Sequence, residues 1–321
     1  MDAAARAHRA TPNAAWAAAR RAARAAFSDA AVRNLGLHLP GDAAYPHSLL
    51  DLPDPPITLF TRGHDGLLAR APRVAVVGTR QYTPAGERMT RRLVAALAGA
   101  GAVVVSGMAR GIDTVAHSAA LAAALPTVAV LGTGVDVPYP PQNAALYQRI
   151  ATDGCVIAES APGTTATPGA FPRRNRIVAG LADLVVVVEA GVRSGALITA
   201  GIATDLGRTV AAVPGSVEAP TAAGTNLLLR DGAHVLADPA DVLGLLGLAT
   251  PPAPAPHAVA EPDGLGADES LVWRALASPA PDADVLGDRV ALNARRCAAA
   301  LATLEIRDLV TTDRSGELRR R

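Results

Sequence analysis

Short aliphatic runs alternate with longer amphipathic stretches from residue 73 to about residue 246. Arg73–Val77, Ala102–Val105, Thr127–Leu131, Val156–Ala158, Leu184–Val188 and Thr209–Val213 read as strands, and Thr83–Ala98, Ile112–Ala123, Asn175–Leu181 and Ala196–Leu206 as helices. The strand segments are continuously apolar instead of alternating, the pattern of a parallel sheet covered by helices on both faces. An α/β fold follows, an extended Rossmann-like, mostly parallel sheet over residues 71–247. Residues 1–70 form a lead-in, with helical periodicity over Ala14–Phe27 and a proline-punctuated, extended Tyr45–Leu59. Residues 248–268 are a Pro/Ala-rich linker with almost no large apolar side chains. Beyond it, Glu269–Ala277, Ala283–Gly287 and Asn293–Leu304 read as helices, followed by Leu309–Thr312, a turn at Arg314–Gly316 and Glu317–Arg321. That order predicts a winged-helix-like domain over 269–321, with a plain three-helix cap as the alternative.

Composition sharpens this. Half of the 321 residues are hydrophobic, enough for a sizeable core, and 29 Gly without a period exclude a collagen-like chain. No uninterrupted apolar stretch of about 18 residues reads as a membrane span. Met1–Phe27 is rich in Ala and Arg and lacks the apolar core of a secretory signal, so a cytoplasmic location is expected. Cys155 and Cys297 stand far apart in apolar segments and read as buried thiols. The net charge of +1 is neutral on polyanionic partners, but all 30 basic residues are arginine. Any anion must therefore be held by a planar guanidinium or a backbone amide.

Four strand-to-helix turns carry candidate chemistry. The first holds Gly78 and Arg80, the second Ser106, Gly107 and Arg110, and the fourth Arg193, Ser194 and Gly195. Glycines there let amides approach a ligand, a helix N-terminus adds partial positive charge, and the arginines complete phosphate-sized sites. The third, Phe171-Pro172-Arg173-Arg174-Asn175-Arg176, is the densest basic cluster of this region and opens a predicted helix. Cations are disfavoured at that end of a helix unless an anion is shared among them, and Phe171 offers a stacking face for a base; a solvated charge run is the plain alternative. All four turns fall at carboxyl ends of parallel strands, where open α/β sheets bind ligands, and a row of phosphate sites suits a polynucleotide. The dinucleotide fingerprint is missing, which disfavours NAD. Asp113, Asp136, Glu159, Asp183 and Glu189, with Ser106, Ser160 and Ser194, lie near strand ends, but form neither a nucleophile elbow nor a metal-ligand spacing. No catalytic residue, metal or cofactor is expected.

The segments VSGMARGID (105–113), YPPQN (139–143), FPRRNRIVAGL (171–181), VVVEAGVRSGALITA (186–200), VPGS (213–216) and GTNLLLRDGA (224–233) together resemble the bacterial DNA-processing protein A family, DprA or Smf. The resemblance spans about 175 residues. It implies a Rossmann-type domain that binds single-stranded DNA, self-associates into homodimers and loads the RecA recombinase during natural transformation. The apolar residues Ile202, Leu206, Val242, Leu245, Leu246 and Leu248 exceed what one sheet layer needs and fit a shared surface. Family members often have a larger N-terminal helical domain than residues 1–44 provide, and a Tyr-Gly where this chain has Ala85-Gly86. The runner-up is a Rossmann-type nucleotide phosphoribohydrolase of the lysine-decarboxylase-like kind, whose catalytic glutamate on a late helix has no counterpart on the helix of EAGVRSGALITA. In the C-terminal domain Asn293, Arg295 and Arg296 open the third helix, and Arg314 with Arg319–Arg321 flank the wing. Residues 248–321 nevertheless hold nine arginines against eleven acids, a net of −2, which favours a protein-contact role over reading duplex DNA.

Overall fold

The computed structural model describes residues 35–248, 262, 264–276, 280, 282–312 and 318–320. The expected helix over Ala14–Phe27, most of the linker and the turn at 314–316 lie outside them. The chain divides into two compact units, Met1–Thr250 and Pro251–Arg321.

In the first unit, β3 (Arg73–Val77), β4 (Val103–Ser106), β5 (Thr127–Leu131), β6 (Cys155–Ala158), β7 (Leu184–Val187) and β8 (Thr209–Ala212) fall within a residue or so of expectation. β1 (Gly36–His38), β2 (Leu59–Gly63) and the two-residue β9 (His234–Val235) were not anticipated. The sheet has nine strands in the order β1-β2-β6-β5-β4-β3-β7-β8-β9. β1 pairs antiparallel with β2 and β2 antiparallel with β6, extending the sheet from β6, and the remaining neighbours are parallel. Part of the lead-in thus joins the sheet instead of standing ahead of it.

The helices of this unit are α1 (Pro84–Ala98), α2 (Ile112–Ala122), α3 (Ala144–Asp153), α4 (Ala170–Leu181), α5 (Gly195–Asp205), α6 (Ala223–Arg230) and α7 (Asp241–Leu245). α1 starts sharply because the Thr83 hydroxyl accepts from the Gly86 amide at 3.1 Å and Pro84 occupies the first turn. α4 begins five residues before the expected Asn175, since Pro172 in the first turn has no intrahelical donor to lose. Successive strand residues feed opposite faces. Ala75, Val77, Val105 and Val187 meet α4 and α5, while Val74, Val76, Val104 and Val186 meet α1, α2 and α7. A further cluster seats α3 through Tyr147 and Ile150 against Phe60, Met108 and Leu131. Ile202 and Leu206 pack on the first face and Val242, Leu245 and Leu246 on the second, so these residues do not form one shared surface. Val242 is fully buried there, the other four are partly buried, and Leu248, the sixth of these residues, is 37% exposed. Both cysteines are buried and free, and burial pushes the Cys155 thiol up to about 12.

The strands β3 to β6 are laid down in one direction, after which the chain crosses back through α4 to place β7 against β3. α1 and α5 therefore leave neighbouring strands toward opposite faces. A crevice opens between them at the carboxyl edge.

The second unit has its own core, in which Val272, Trp273, Leu286, Cys297, Leu301, Leu304 and Val310 are buried together. Its helices α8 (Ala267–Ala275), α9 (Ala283–Val290) and α10 (Ala294–Ile306) precede the antiparallel pair β10 (Val310–Thr312) and β11 (Leu318–Arg320). Ala280, between α8 and α9, bridges Leu318.

Candidate nucleic-acid interface

The crevice at the point of reversal is a cleft of about 670 Å³ lined from all four turns, by Thr79 and Arg80, Gly107, Phe171 and Arg174, and Arg193 to Gly195. A smaller one of about 200 Å³ adjoins it between Arg80, Arg110, Tyr139 and Phe171. A third, of about 570 Å³, lies farther along the edge beside Glu159, Ser160 and Arg173. Arg174 lines all three.

The turns bring the expected residues together but use them differently. Arg80, Arg110 and Arg193 are exposed, and their guanidinium groups have neither a carboxylate partner nor a hydrogen bond. Among the described residues of the first unit, only the arginines at 70, 88 and 149 share that condition, and none of those lines the clefts. Phe171 packs against Tyr139 with centroids 5.0 Å apart and planes tilted by 35°. Tyr139 is 39% exposed, so the pair presents an aromatic face beside Arg80 and Arg110.

The basic cluster on α4 does not act as one anion site. Arg174 is 6% exposed, and its guanidinium donates to the carbonyls of Gly107 and Val130. Burial holds it below the usual arginine range, with Asp113 acting in the opposite sense. Arg176 donates to Glu159 at 2.6 Å and to Asp54 at 3.5 Å. Arg173 is exposed, 3.4 Å from the other Glu159 oxygen. The anion shared by Arg173 and Arg176 is thus the protein's own Glu159, which explains how cations tolerate this end of a helix. Asn175 donates to the Gly195 carbonyl at 3.2 Å, tying α4 to the start of α5.

Two of the turns also satisfy their own amides. Asp113 accepts from Gly107 at 3.1 Å and Ala109 at 3.3 Å, and burial pushes its carboxyl up. Ser106 is fully buried and donates to the Val76 carbonyl at 2.7 Å, so it faces the sheet and not the cleft. At the first turn the Thr83 amide donates to Glu189. Gly78 serves packing, since a Cβ there would lie 2.7 Å from Ile112 and 2.9 Å from the Glu189 carbonyl. Ser194 caps α5, accepting from Ala196 at 3.3 Å. The amides of Thr79, Gln81, Thr83, Gly107 and Ala109 in the first two turns are therefore spent internally, while each turn displays an exposed arginine.

Sequence reasoning did not assign Tyr139 or Asn143 a role, although both lie in the YPPQN segment. Asn143 donates to the Met108 carbonyl at 3.0 Å and to the Thr114 hydroxyl at 2.8 Å, fixing the turn that carries Arg110. His117 is fully buried with Nδ1 2.7 Å from the Thr127 hydroxyl, and burial pulls it down to about 3, so it stays neutral in the core. α5 carries no glutamate, the residue the phosphoribohydrolase alternative requires. Among the described residues no cluster of three or more His, Cys, Asp or Glu could hold a metal, and no helix is long and apolar enough to cross a membrane.

Comparison with known proteins follows the same segments. The model of the family described as DNA recombination-mediator protein A matches residues 36–247. The Protein Smf of Synechocystis sp. is 43% identical over 211 residues, 65% of this chain and 53% of that protein, so the chain spans about half of that relative's length. The crystal structure of DNA processing protein A from Streptococcus pneumoniae matches at 40% identity with a TM-score of 0.64, over 66% of this chain and 74% of that one. A structure of the Helicobacter pylori DNA processing protein A, described for its single-stranded DNA binding mode, matches at 30% identity and TM-score 0.61, over 66% and 95% of the two chains.

Proposed function

We propose, since the chain belongs to the DNA recombination-mediator protein A family, that its first unit binds single-stranded DNA along the carboxyl edge of the sheet, protects it, and passes it to the RecA recombinase in natural transformation. The observation that carries the reading is the set of three unpaired, exposed arginines, Arg80, Arg110 and Arg193, around adjoining clefts at the point where the sheet order reverses. A guanidinium in this setting holds a phosphodiester through its planar fork. The Tyr139–Phe171 pair supplies a stacking face that every base can use, which suits sequence-tolerant binding. From β7 to β6 the edge crosses four strand spacings, about 19 Å at ~4.8 Å each, room for a strand of several nucleotides.

The second unit fits an accessory role. Its order of three helices and a hairpin, with Ala280 bridging Leu318, fits a winged helix, yet among the described residues Arg296, Arg307 and Arg320 are engaged within it. Arg296 forks onto Asp268 at 2.8 and 2.5 Å, and Arg320 donates to the Trp273 carbonyl at 2.7 Å while lying over its ring. We assign it to protein contact.

Titration of labelled single- and double-stranded oligonucleotides across a salt series tests both statements. The full chain is expected to prefer the single strand, with log affinity falling by about 0.7 per phosphate neutralised for each unit of log salt. A chain ending at residue 248 should keep that affinity within tenfold. Preference for duplex, or a larger loss on truncation, would overturn the reading.

Homodimer formation through the first unit is part of the same proposal. Among the described residues β9 is an edge strand paired with β8 alone, with Val235 56% exposed, the kind of edge that a second chain can cover. Sedimentation at micromolar concentration should show a dimer, and affinity should rise with oligonucleotide length beyond one site. A monomer with length-independent affinity is the contrary result.

A further inference from the structure

Glu189 follows β7, at the reversal point, and touches the neighbouring strand's turn in three ways. Its carboxylate accepts from the Thr83 amide at 2.9 Å and from the Thr83 hydroxyl at 2.5 Å, at the N-cap of α1. Its carbonyl accepts from the Thr79 amide at 2.7 Å. A Cβ on Gly86 would lie 2.5 to 2.7 Å from the carboxylate, so the glycine leaves the space in which that group sits. These contacts bracket residues 79–83, the segment that carries Arg80, and they start from a residue four positions before Arg193. A carboxylate at a helix N-terminus is favoured by the helix dipole and by the amides it accepts.

We infer that Glu189 is a positioning residue for strand binding: it clamps the β3–α1 turn to the end of β7 and so fixes Arg80 where it shares a cleft with Arg193. The carboxylate itself does not contact the DNA, and it acts through Arg80. This inference rests on the single-strand reading above, and its experiment separates the two.

Strand affinity of the full chain for an oligothymidine is measured for Glu189→Ala, Glu189→Gln, Arg80→Ala, Arg193→Ala and the doubles of Glu189→Ala with each arginine variant. Glu189→Ala should weaken binding about tenfold. Glu189→Gln, whose amide oxygen still accepts from Thr83, should stay within twofold of wild type. The Arg80→Ala/Glu189→Ala double should bind no more weakly than Arg80→Ala alone, because a clamp has no further effect once the group it positions is gone. The double with Arg193→Ala should show both losses multiplied. Amide hydrogen exchange over 78–87 in the DNA-free protein should quicken in Glu189→Ala and not in Glu189→Gln. If Glu189→Ala does not fold, Gly86→Ala takes its place, since the added methyl displaces the carboxylate while leaving the residue in the chain. Multiplying losses with Arg80→Ala, a glutamine variant as weak as the alanine one, or unchanged exchange would overturn the inference. A wild-type chain that binds no strand would overturn the function reading, while the exchange arm would still test the clamp.

Discussion

Replacing Arg80, Arg110 and Arg193 together by alanine is expected to weaken single-strand binding by roughly three orders of magnitude, taking the lower end of the range for a charge-assisted contact, about 1.5 kcal/mol for each. The salt dependence should flatten as well. Three phosphates no longer neutralised lower the slope of log affinity against log salt by about 2. Folding should be almost untouched, because these side chains are exposed and make no internal contact whose loss would show as a stability change. Arginine-to-lysine replacement at the same positions keeps the charge but not the fork, so it should preserve most of the slope while losing part of the affinity. Anisotropy titrations at several salt concentrations, with a thermal melt of each variant, check all three statements. An unchanged slope would remove these residues from the interface.

Arg174→Ala is expected to fail for the opposite reason, losing the fold before it loses the strand. Its guanidinium is buried, donates to two carbonyls on neighbouring strand ends, and is the cation set against the buried Asp113. Removing one member of such an arrangement leaves carbonyls without donors and a carboxylate without its counter-charge, at about 3–5 kcal/mol. For a unit of this size that corresponds to a drop in melting temperature of roughly 10 °C. Arg173→Ala, one residue earlier and 64% exposed at its side chain, should change stability by about 0.5 kcal/mol or less. Parallel melts of the two variants decide the matter. Equal stability of both would mean that Arg174 is not an internal brace.

The contrast between Arg173 and Arg174 also marks the limit of what composition and spacing tell. A run of arginines at a helix start reads as one basic patch, because sequence carries charge but not direction. On α4 successive residues point about 100° apart, so one arginine enters the core, another meets Glu159 and Asp54, and a third stays in solvent. The carboxylates that quench them come from segments more than ten residues away, and no local pattern announces the pairing.

The same division runs through the fold. The parallel core strands and most of the helices were legible because burial on both faces forces unbroken apolar runs, and because caps such as Thr83-Pro84 act locally. β1, β2 and β9 were not, being two to five residues long and held in place by their sheet neighbours. That turns after strands carry ligand chemistry was likewise a property of the sequence, through glycine, arginine and their spacing. Which arginines remain free for a phosphate, and which amides Asp113 and Glu189 have already taken, depended on long-range contacts made only when the chain crosses back from β6 to β7. Local propensity fixes where elements begin; the pairing of charges across turns is a tertiary event, settled by which groups are desolvated together.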